Sequence, residues 1–520
     1  MKKFLALILG LCLTISCFSV FVLAADPEAK IGETNYNTLA DAIEALNADT
    51  GSDEKTLTLL KDVALNGAQY TLKRSKVTLD GENHTVVLTA TAAGSFLTVS
   101  GSDVTVKNLT VENKSSAFVG GIAHTGTGVS GFENVKVVYP QDAKYVVTSA
   151  AFYIVGNASA KLELTIRNCS ATTGKNRFFT VEGGAQKVEV TLIDNNFVNP
   201  ADYGRCADIK GEGSKVLVKS GYYQTNSTAV FRVWGGELTI EDGTFHLKGN
   251  GDTILAAEKY DATSGGLANI KSGVFLSGNT QASKKAVIYS GPGTVNVTSG
   301  IFIATKSLAT GYAAVVNKDN TDLAFESGSL IAIKGDKPAP TMDNGAAAIL
   351  EKDMNGMVFT SRMSAATVKK LEMLKAALTY VETTDAPLTV TYGTLIVPAS
   401  TLVAVGGGKV PFTHNGILTT LDPVYYDVKA GEASFMTDEA GNVTYRAGIS
   451  GLSGDDYATG YCAIAYVQIS AGKVNFTLYS EFSEENNKRS LSGIAASALA
   501  DDAAGLTGDD KLKLAEYVRN

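Results

Sequence analysis

A short phrase recurs along the middle of this chain at intervals of 22 to 34 residues. Each copy has two alternating apolar residues, a small polar residue and an apolar residue three positions later, as in VLVKSGYY, LTIEDGTF and VNVTSGIF. Such self-similarity indicates a stacked repeat, because one unit cannot bury its apolar face alone. The polar positions are Asn108, Asn134, Asn168, Asp194, Ser220, Asp242, Ser272, Ser299 and Ser327, and the last apolar partner is Leu330.

Each repeat contains at least two alternating strands, since a second apolar stretch such as FLTVSG, FYIVGN or VFRVWG precedes the phrase. Stacking the coils about 4.8 Å apart would pair each strand with its counterpart in the next coil. The polar column is predicted to lie at a bend, where short polar side chains satisfy free backbone groups. The apolar partners are predicted to form an internal aromatic column of Phe197, Tyr223, Phe245, Phe275 and Phe302.

Asn108, Asn134 and Asn168 resemble the asparagine ladder of right-handed parallel β-helix proteins of the pectate-lyase type, over about residues 50–350. After these coils the ladder positions change to Asp or Ser followed by Gly. The resemblance implies an all-β fold, a right-handed parallel β-helix with an N-terminal α/β cap. The opening IGETNYNTLADAIEAL also resembles the cap of secreted β-helical proteins of clostridial-type bacteria, in which the fold often serves surface adhesion or glycan contact.

Four segments are predicted along the chain: a signal peptide over 1–25, a cap over 26–69, the β-helix over 70–350 and a C-terminal unit over 351–520. Thr38 is the predicted N-cap of the cap's helix, and Ser364 that of a helix in the C-terminal unit. The alternating strands after residue 385 predict a small antiparallel β-sandwich with flanking helices. MVFTSRMS, YGTLIVPAS and RSLSGIAASAL resemble an accessory module of secreted clostridial-type surface proteins.

The N-terminus predicts export. Lys2 and Lys3 precede a long apolar run, and small residues at Val22–Ala24 suit cleavage before Asp26. A membrane anchor is the alternative, and Thr14–Ser16 before Cys17 match a lipobox poorly. We therefore expect a secreted or cell-surface protein whose mature chain has no membrane span.

The mature chain would carry 43 basic and 53 acidic residues, a net charge of −10, which argues against nucleic acid as a partner. The cysteines that remain are too few for a disulfide scaffold. Cys169 and Cys206 either pair or are buried free thiols. No metal or cofactor is predicted, because the four histidines lack metal-ligand spacing; they are expected at turns or on the surface: His84, His124, His246 and His414.

One patch on the second strand of successive coils is a candidate site. If Phe179/Val181, Ala207/Ile209 and Phe231/Val233 face inward, alternation sends the intervening side chains outward. A flat indole stacks well on a sugar, and carboxylate and guanidinium groups bind hydroxyls through paired hydrogen bonds. Either this patch contacts a ligand or a loop covers it. The predicted ligand-binding residues are Tyr153, Glu182, Asp208, Lys210, Arg232 and Trp234.

Two functions compete. The favoured hypothesis is a non-enzymatic, adhesin-like protein whose β-helix presents a face to a glycan or a host or cell-surface protein. The alternative is a lyase acting on an acidic polysaccharide, with Lys210 or Arg232 as base beside Asp208. The enzyme hypothesis is the weaker one, because calcium would need several convergent oxygens and only two carboxylates are placed here. A glycoside hydrolase would need paired carboxylates, which this strand row lacks.

Overall fold

The computed structural model describes residues 26–519 with gaps, so the predicted signal peptide and Ser327 lie outside the described residues. In the part of the chain that it describes, no helix is both long and apolar enough to cross a bilayer. The gaps are 67–68, 90–93, 115–118, 141–149, 158–159, 175–176, 184–186, 201–204, 227–228, 250–251, 257–264, 279–285, 307–311, 319, 326–328, 344, 352, 381–387, 405–412, 415–424, 432–434, 472–473 and 502–503.

From Lys55 to Asn317 the chain winds through three faces in a fixed order, which we number 1 to 3. Face 1 contains Lys55–Leu59, Val77–Asp80, the first parts of Val104–Asn113 and Gly128–Val138, Leu162–Arg167, Val188–Ile193, Ser214–Val218, Glu237–Ile240, Leu267–Ile270 and Thr294–Val297. Face 2 contains Val63–Leu65, Thr85–Leu88, the second parts of the two long strands, Ser170–Thr172, Asn195–Asn199, Gly221–Thr225, Thr244–Leu247, Val274–Ser277 and Gly300–Ala304. Face 3 contains Tyr70–Leu72, Gly94–Val99, Val119–His124, Ala150–Val155, Arg177–Glu182, Arg205–Lys210, Ala229–Trp234, Asp252–Ala256, Ala286–Ser290 and Ala313–Asn317.

Within each face, every strand pairs in parallel with its counterpart one coil away. Faces 1 and 2 form one sheet, because Val104–Asn113 and Gly128–Val138 run through the bend between them. This pairing confirms the predicted parallel β-helix.

The polar column lies at the bend between faces 1 and 2. Asn108, Asn134, Asn168 and Asp194 have φ between 51° and 53°, a left-handed conformation that short polar side chains tolerate. The amide of Asn134 donates to Asn108 Oδ1 at 3.1 Å, so adjacent coils are joined side chain to side chain.

From residue 220 onward the bend changes its chemistry. After Ser220, Asp242 and Ser272 the following glycine takes the positive φ instead, with 127° at Gly221, 132° at Gly243 and 128° at Gly273. Only glycine adopts such values readily, since it has no Cβ. The change from Asn to Ser-Gly or Asp-Gly is therefore a change of bend geometry.

The predicted aromatic column is confirmed. Phe245 stacks on Tyr223 and Phe275 with ring centroids 5.3 and 4.9 Å away, and Phe302 lies 5.3 Å beyond Phe275. These three ring pairs are within 12° of parallel, and all four rings are fully buried. Phe197 meets Tyr223 edge-on at 5.6 Å. Aromatic contacts thus run along the core in register with the strands.

Two of the four histidines were predicted wrongly, because His124 and His246 are buried within strands. His124 points inward at the row position that Val99 and Ile154 occupy in adjacent coils. Burial lowers its pKa to about 4 and that of His246 to about 3. Cys169 and Cys206 are buried free thiols, as one of the two alternatives held.

The first end of the β-helix is covered by Ala29–Ile31, Thr34–Tyr36 and helix α1, Leu39–Ala48. The Thr38 side chain accepts a hydrogen bond from the Asp41 amide, which confirms the predicted N-cap. The side chain of Asn47 bonds both Thr71 O, at 2.7 Å, and Lys73 N, at 2.8 Å. It therefore satisfies backbone groups at the edge of face 3 that the winding leaves unpaired.

The other end closes by reversal. Asn320–Leu323 pairs antiparallel with the last strand of face 3, and Ile331–Lys334 pairs antiparallel with Gly300–Ala304. The phrase that ends at Leu330 was expected to be another parallel coil. Instead, the strand that follows Leu330 runs antiparallel to its neighbour. This strand covers the edge on which another parallel coil would have stacked.

The C-terminal part contains the two antiparallel sheets that the alternating strands predicted. One sheet contains Thr341–Met342, Ala347–Ala348, Gly356–Met363, Met436–Thr437 and Val443–Ser450, and the other contains Thr389–Pro398, Tyr426–Lys429, Tyr461–Ala471, Val474–Tyr479 and Lys488–Arg489. The helices are α2 (Ala365–Leu378), α3 (Ala399–Ala404), α4 (Glu484–Asn487), α5 (Leu491–Ala500) and α6 (Gly508–Arg519), with a 3-10 turn at Gly454–Asp456. Ser364 caps α2 as predicted.

Helix α2 packs against the outside of face 2. Leu371 and Leu374 share one buried cluster with the outward side chains of the last face 2 strands, among them Leu276 and Ile303. Face 2 is therefore apolar on both sides at this end, since the C-terminal unit buries its outer surface.

Candidate ligand-binding site on face 3

The predicted site residues occupy two adjacent rows on the outer side of face 3. The register places Tyr153, Thr180, Asp208 and Arg232 opposite one another in successive strands. Glu182 and Lys210 are paired in the neighbouring row. The side chains expected to face inward are all buried in the core, so the predicted alternation is confirmed. The structure thus brings the predicted residues together.

The centre of this patch is a buried ionic cluster. Arg177 Nε forms an ion pair with Asp208 Oδ2 at 2.5 Å. Arg232 donates to the same carboxylate, from Nε to Oδ1 at 3.1 Å and from Nη2 to Oδ2 at 3.4 Å. The side chains of Asp208, Arg177 and Arg232 are 0%, 4% and 3% exposed. A buried carboxylate held by two guanidinium groups is fixed in place, because releasing either partner would leave a charge without compensation.

The chain's one tryptophan rests on this cluster. The Arg232 guanidinium carbon lies 3.1 Å from the centroid of the Trp234 ring, a close cation–π arrangement. Trp234 itself remains partly exposed. Since Asp208 fixes Arg232, and Arg232 stacks on the indole, the orientation of the ring is determined by groups that solvent does not reach.

Beside the tryptophan lies a second network that is partly exposed. Glu182 accepts the Tyr153 hydroxyl at 2.6 Å and pairs with Lys210 Nζ at 2.5 Å. The Glu182 and Lys210 side chains are 31% and 16% exposed. Burial alone would raise the pKa of Glu182, but the bonds from Lys210 and Tyr153 outweigh it and lower that pKa. Burial and the Glu182 carboxylate raise the pKa of Tyr153.

The structure corrects one expectation about this patch. Asp208 and Arg232 point away from the core, as alternation requires, but they are buried and not solvent-facing. Alternation specifies the side of a sheet to which a residue points, and it does not specify whether other parts of the chain cover that side. Tyr153, Glu182, Lys210 and Trp234 are the members of the predicted set that solvent reaches.

Arg177 is the residue whose ion pair with Asp208 the sequence did not reveal. Its position in the alternation is that of the inward row with Phe179 and Val181, and yet its guanidinium group forms an ion pair with Asp208. It is the first residue of its strand, where side-chain direction is less constrained by the sheet. An arginine at the first position of an otherwise apolar strand could have indicated a buried ion pair.

Comparison with known proteins adds little. No family model matches the sequence, and no curated protein matches it. Among solved structures the chain is similar to the enzymatically active domain of tailspike protein 2 of bacteriophage CBA120, at 10% identity and a TM-score of 0.27, with 83% of this chain and 74% of that chain covered. A likeness this distant supports no argument, so the fold rests on the strand pairing described above.

The accessibility of the charged groups limits what this patch can do chemically. Asp208 lies in two ion pairs and is out of contact with solvent, which makes it a poor base or metal ligand. Among the described residues, no three His, Cys, Asp or Glu side chains lie together as a metal site. What solvent reaches is an aromatic ring, a hydroxyl, a carboxylate and an ammonium group.

Proposed function

We propose that this protein is a secreted or cell-surface, adhesin-like protein that binds a glycan at face 3 without transforming it. The observation that carries the proposal is the partly exposed Trp234, held by a buried Arg177–Asp208–Arg232 cluster beside the Tyr153–Glu182–Lys210 network. A fixed aromatic plane next to hydrogen-bonding groups suits a ligand with an apolar face and many hydroxyls.

Rigidity is what makes the arrangement favourable. A ring that is already oriented loses little conformational freedom when a ligand stacks on it, so more of the contact energy appears as affinity. The Glu182–Lys210 pair offers an acceptor and a donor on adjacent coils. Charged groups make stronger hydrogen bonds to hydroxyls than neutral groups do.

The polysaccharide-lyase alternative draws on the same residues and is less well supported. A base must reach the substrate. Of the two candidate bases Arg232 is buried, and so is the Asp208 carboxylate beside it. Lys210 is accessible, but its ammonium group is paired with Glu182. We therefore assign these residues to binding, with Asp208 and Arg232 acting through Trp234.

The single tryptophan makes the test direct. The full chain is titrated with a panel of neutral and acidic oligosaccharides while Trp234 fluorescence and heat of binding are recorded, and the same panel is assayed for unsaturated uronates by absorbance. We expect saturable binding that shifts the fluorescence, without turnover. Trp234→Ala should weaken the calorimetric affinity about tenfold or more.

The matched control is Lys215→Ala, which removes an exposed charge from face 1 and should leave binding unchanged. Turnover that disappears in Lys210→Ala would replace the proposal with the lyase. Binding that survives unchanged in both Trp234→Ala and Glu182→Gln would place the ligand elsewhere on the molecule.

A further inference from the structure

The outer row of face 3 changes character after Arg232. The register continues from Arg232 to Leu255, then to Tyr289 and Val316. These three side chains are uncharged, and Tyr289 packs with Val316 in a small apolar cluster outside the main core. Leu255 and Tyr289 keep partial exposure. The strip that begins with hydrogen-bonding groups thus continues as an apolar and aromatic surface.

The two halves follow one another along the axis of the winding. Thr180, Asp208 and Arg232 of this row are buried, so between Tyr153 and Leu255 a ligand would contact Glu182, Lys210 and Trp234 of the neighbouring row. Tyr153 and Tyr289 are five coils apart in one row, which at about 4.8 Å per coil spans roughly 24 Å. Trp234 lies between the polar and the apolar half. A ligand long enough to use the tryptophan and either half would be an extended chain, not a single sugar.

The absence of charge along the apolar half restricts which substituents such a glycan can carry. A polyuronate bears a carboxylate on every residue. Along the second half these carboxylates would lose water beside Leu255, Tyr289 and Val316, where the described residues of the row offer one phenol hydroxyl and no cationic side chain to compensate their charge. A chain with small acyl groups instead gains by placing their methyl groups there. The apolar half therefore selects against uniform charge.

We propose that the ligand of face 3 is an extended glycan substituted with acyl groups, such as an N-acetylated amino-sugar chain, and that Leu255 and Tyr289 form the subsite for its acyl methyls. This inference rests on the function proposed above and names the ligand class. Tyr153, Glu182 and Lys210 bind hydroxyls at one end of the strip, Trp234 stacks on a ring at its middle, and the acyl groups contact the other end.

The test uses two neutral β-linked oligomers of equal length, one of N-acetylglucosamine and one of glucose, which differ in the acetamido group. Calorimetry and Trp234 fluorescence are recorded on the full chain. We expect the acetylated oligomer to bind roughly tenfold more tightly, the effect typical of one methyl group in an apolar site. Tyr289→Ala and Leu255→Ser should each reduce that preference towards one, and Tyr289→Phe should retain it.

The control is Val129→Ser, an exposed apolar residue on face 1 that should change nothing. Equal binding of the two oligomers, still dependent on Trp234, would overturn the acyl subsite and leave the proposed function standing. A preference that persists in both Tyr289→Ala and Leu255→Ser would overturn the assignment of these residues. Failure of both oligomers and of polyuronate to bind would overturn both proposals.

Discussion

Faces 2 and 3 are built from the same coils, and their outer surfaces are nevertheless opposite in character. On face 2 the last strands direct Leu276 and Ile303 outward, and α2 covers them with Leu371 and Leu374. On face 3 the middle strands direct Asp208 and Arg232 outward, and these charges are buried as ion pairs. Both faces must direct apolar side chains into the core, so the sequences of the two faces can differ only at the positions that point outward.

The comparison separates two ways of burying an outer surface. The contact under α2 is apolar and non-directional, so it stabilises in proportion to the area removed from water. The ionic cluster stabilises only while every charge keeps its partner, and what it provides is a fixed geometry. The following four predictions test this contrast, from the largest expected effect to the smallest.

Asp208→Asn should be the most damaging of these changes. It removes the charge that compensates Arg177 and Arg232, and breaking a buried pair in this way typically costs about 3–5 kcal/mol. Urea unfolding followed in parallel by Trp234 fluorescence and circular dichroism should show face 3 melting before the rest. The partly exposed Lys215–Glu237 pair on face 1 is the control, where Lys215→Ala should cost less than about 1 kcal/mol. An equal cost at the two sites would contradict the buried-cluster interpretation.

Leu374→Ala should test the apolar contact on face 2. The side chain is fully buried, and deleting it should cost about 2–5 kcal/mol through lost transfer energy and the cavity left behind. Hydrogen exchange should increase in α2 and in Val274–Ser277, while Trp234 fluorescence stays unchanged. Glu372→Ala, on the exposed side of the same helix, serves as the control. A Trp234 response to Leu374→Ala would show that the two faces are not independent.

These two regions also show what the sequence could predict. Every coil repeats the inward pattern, so the aromatic column, the bends and the alternation on face 3 followed from spacing alone. The N-caps Thr38 and Ser364 were equally local signals. The burial of Asp208, Arg232 and His246 was not predicted, because it depends on which other parts of the chain cover the outer side of a face. His246, for example, is covered by Tyr380, which lies more than 130 positions later in the sequence.

Acid should destabilise the protein through the two buried histidines. Burial is the main cause that lowers the pKa of His124 to about 4 and of His246 to about 3, against an ordinary value near 6.5. Below pH 6.5 the unfolded chain therefore binds protons that the folded chain excludes, and stability falls as pH falls towards those lower values. Between pH 6.5 and 5 we expect a loss of about 1–2 kcal/mol per histidine.

Unfolding midpoints measured across this pH range would check the effect. The range lies above the pH at which most carboxylates titrate. His124→Val, which restores the residue type of the neighbouring coil at Val99, should flatten part of the pH dependence. His246→Leu should do the same on face 2, where Leu276 is its register partner. Val129→Ser, which changes an exposed residue without a titratable group, is the control and should leave the slope unchanged. A slope that both core variants preserve would assign the acid sensitivity to other groups.

The smallest effect is expected at the bend. Asn134→Ala keeps a residue with a Cβ at φ 53° but removes the amide that donates to Asn108, so it should cost about 1–2 kcal/mol. Asn134→Gly loses the same hydrogen bond and relieves the strained φ, so it should be the milder change by several tenths of a kcal/mol or more. The pair of variants, compared by urea midpoint, therefore separates backbone conformation from the side-chain ladder. If the two variants cost the same free energy of unfolding, the lost hydrogen bond outweighs the backbone conformation at this bend. The later coils, whose bends use Gly221, Gly243 and Gly273, would then lack a stabilising contact that the earlier coils have.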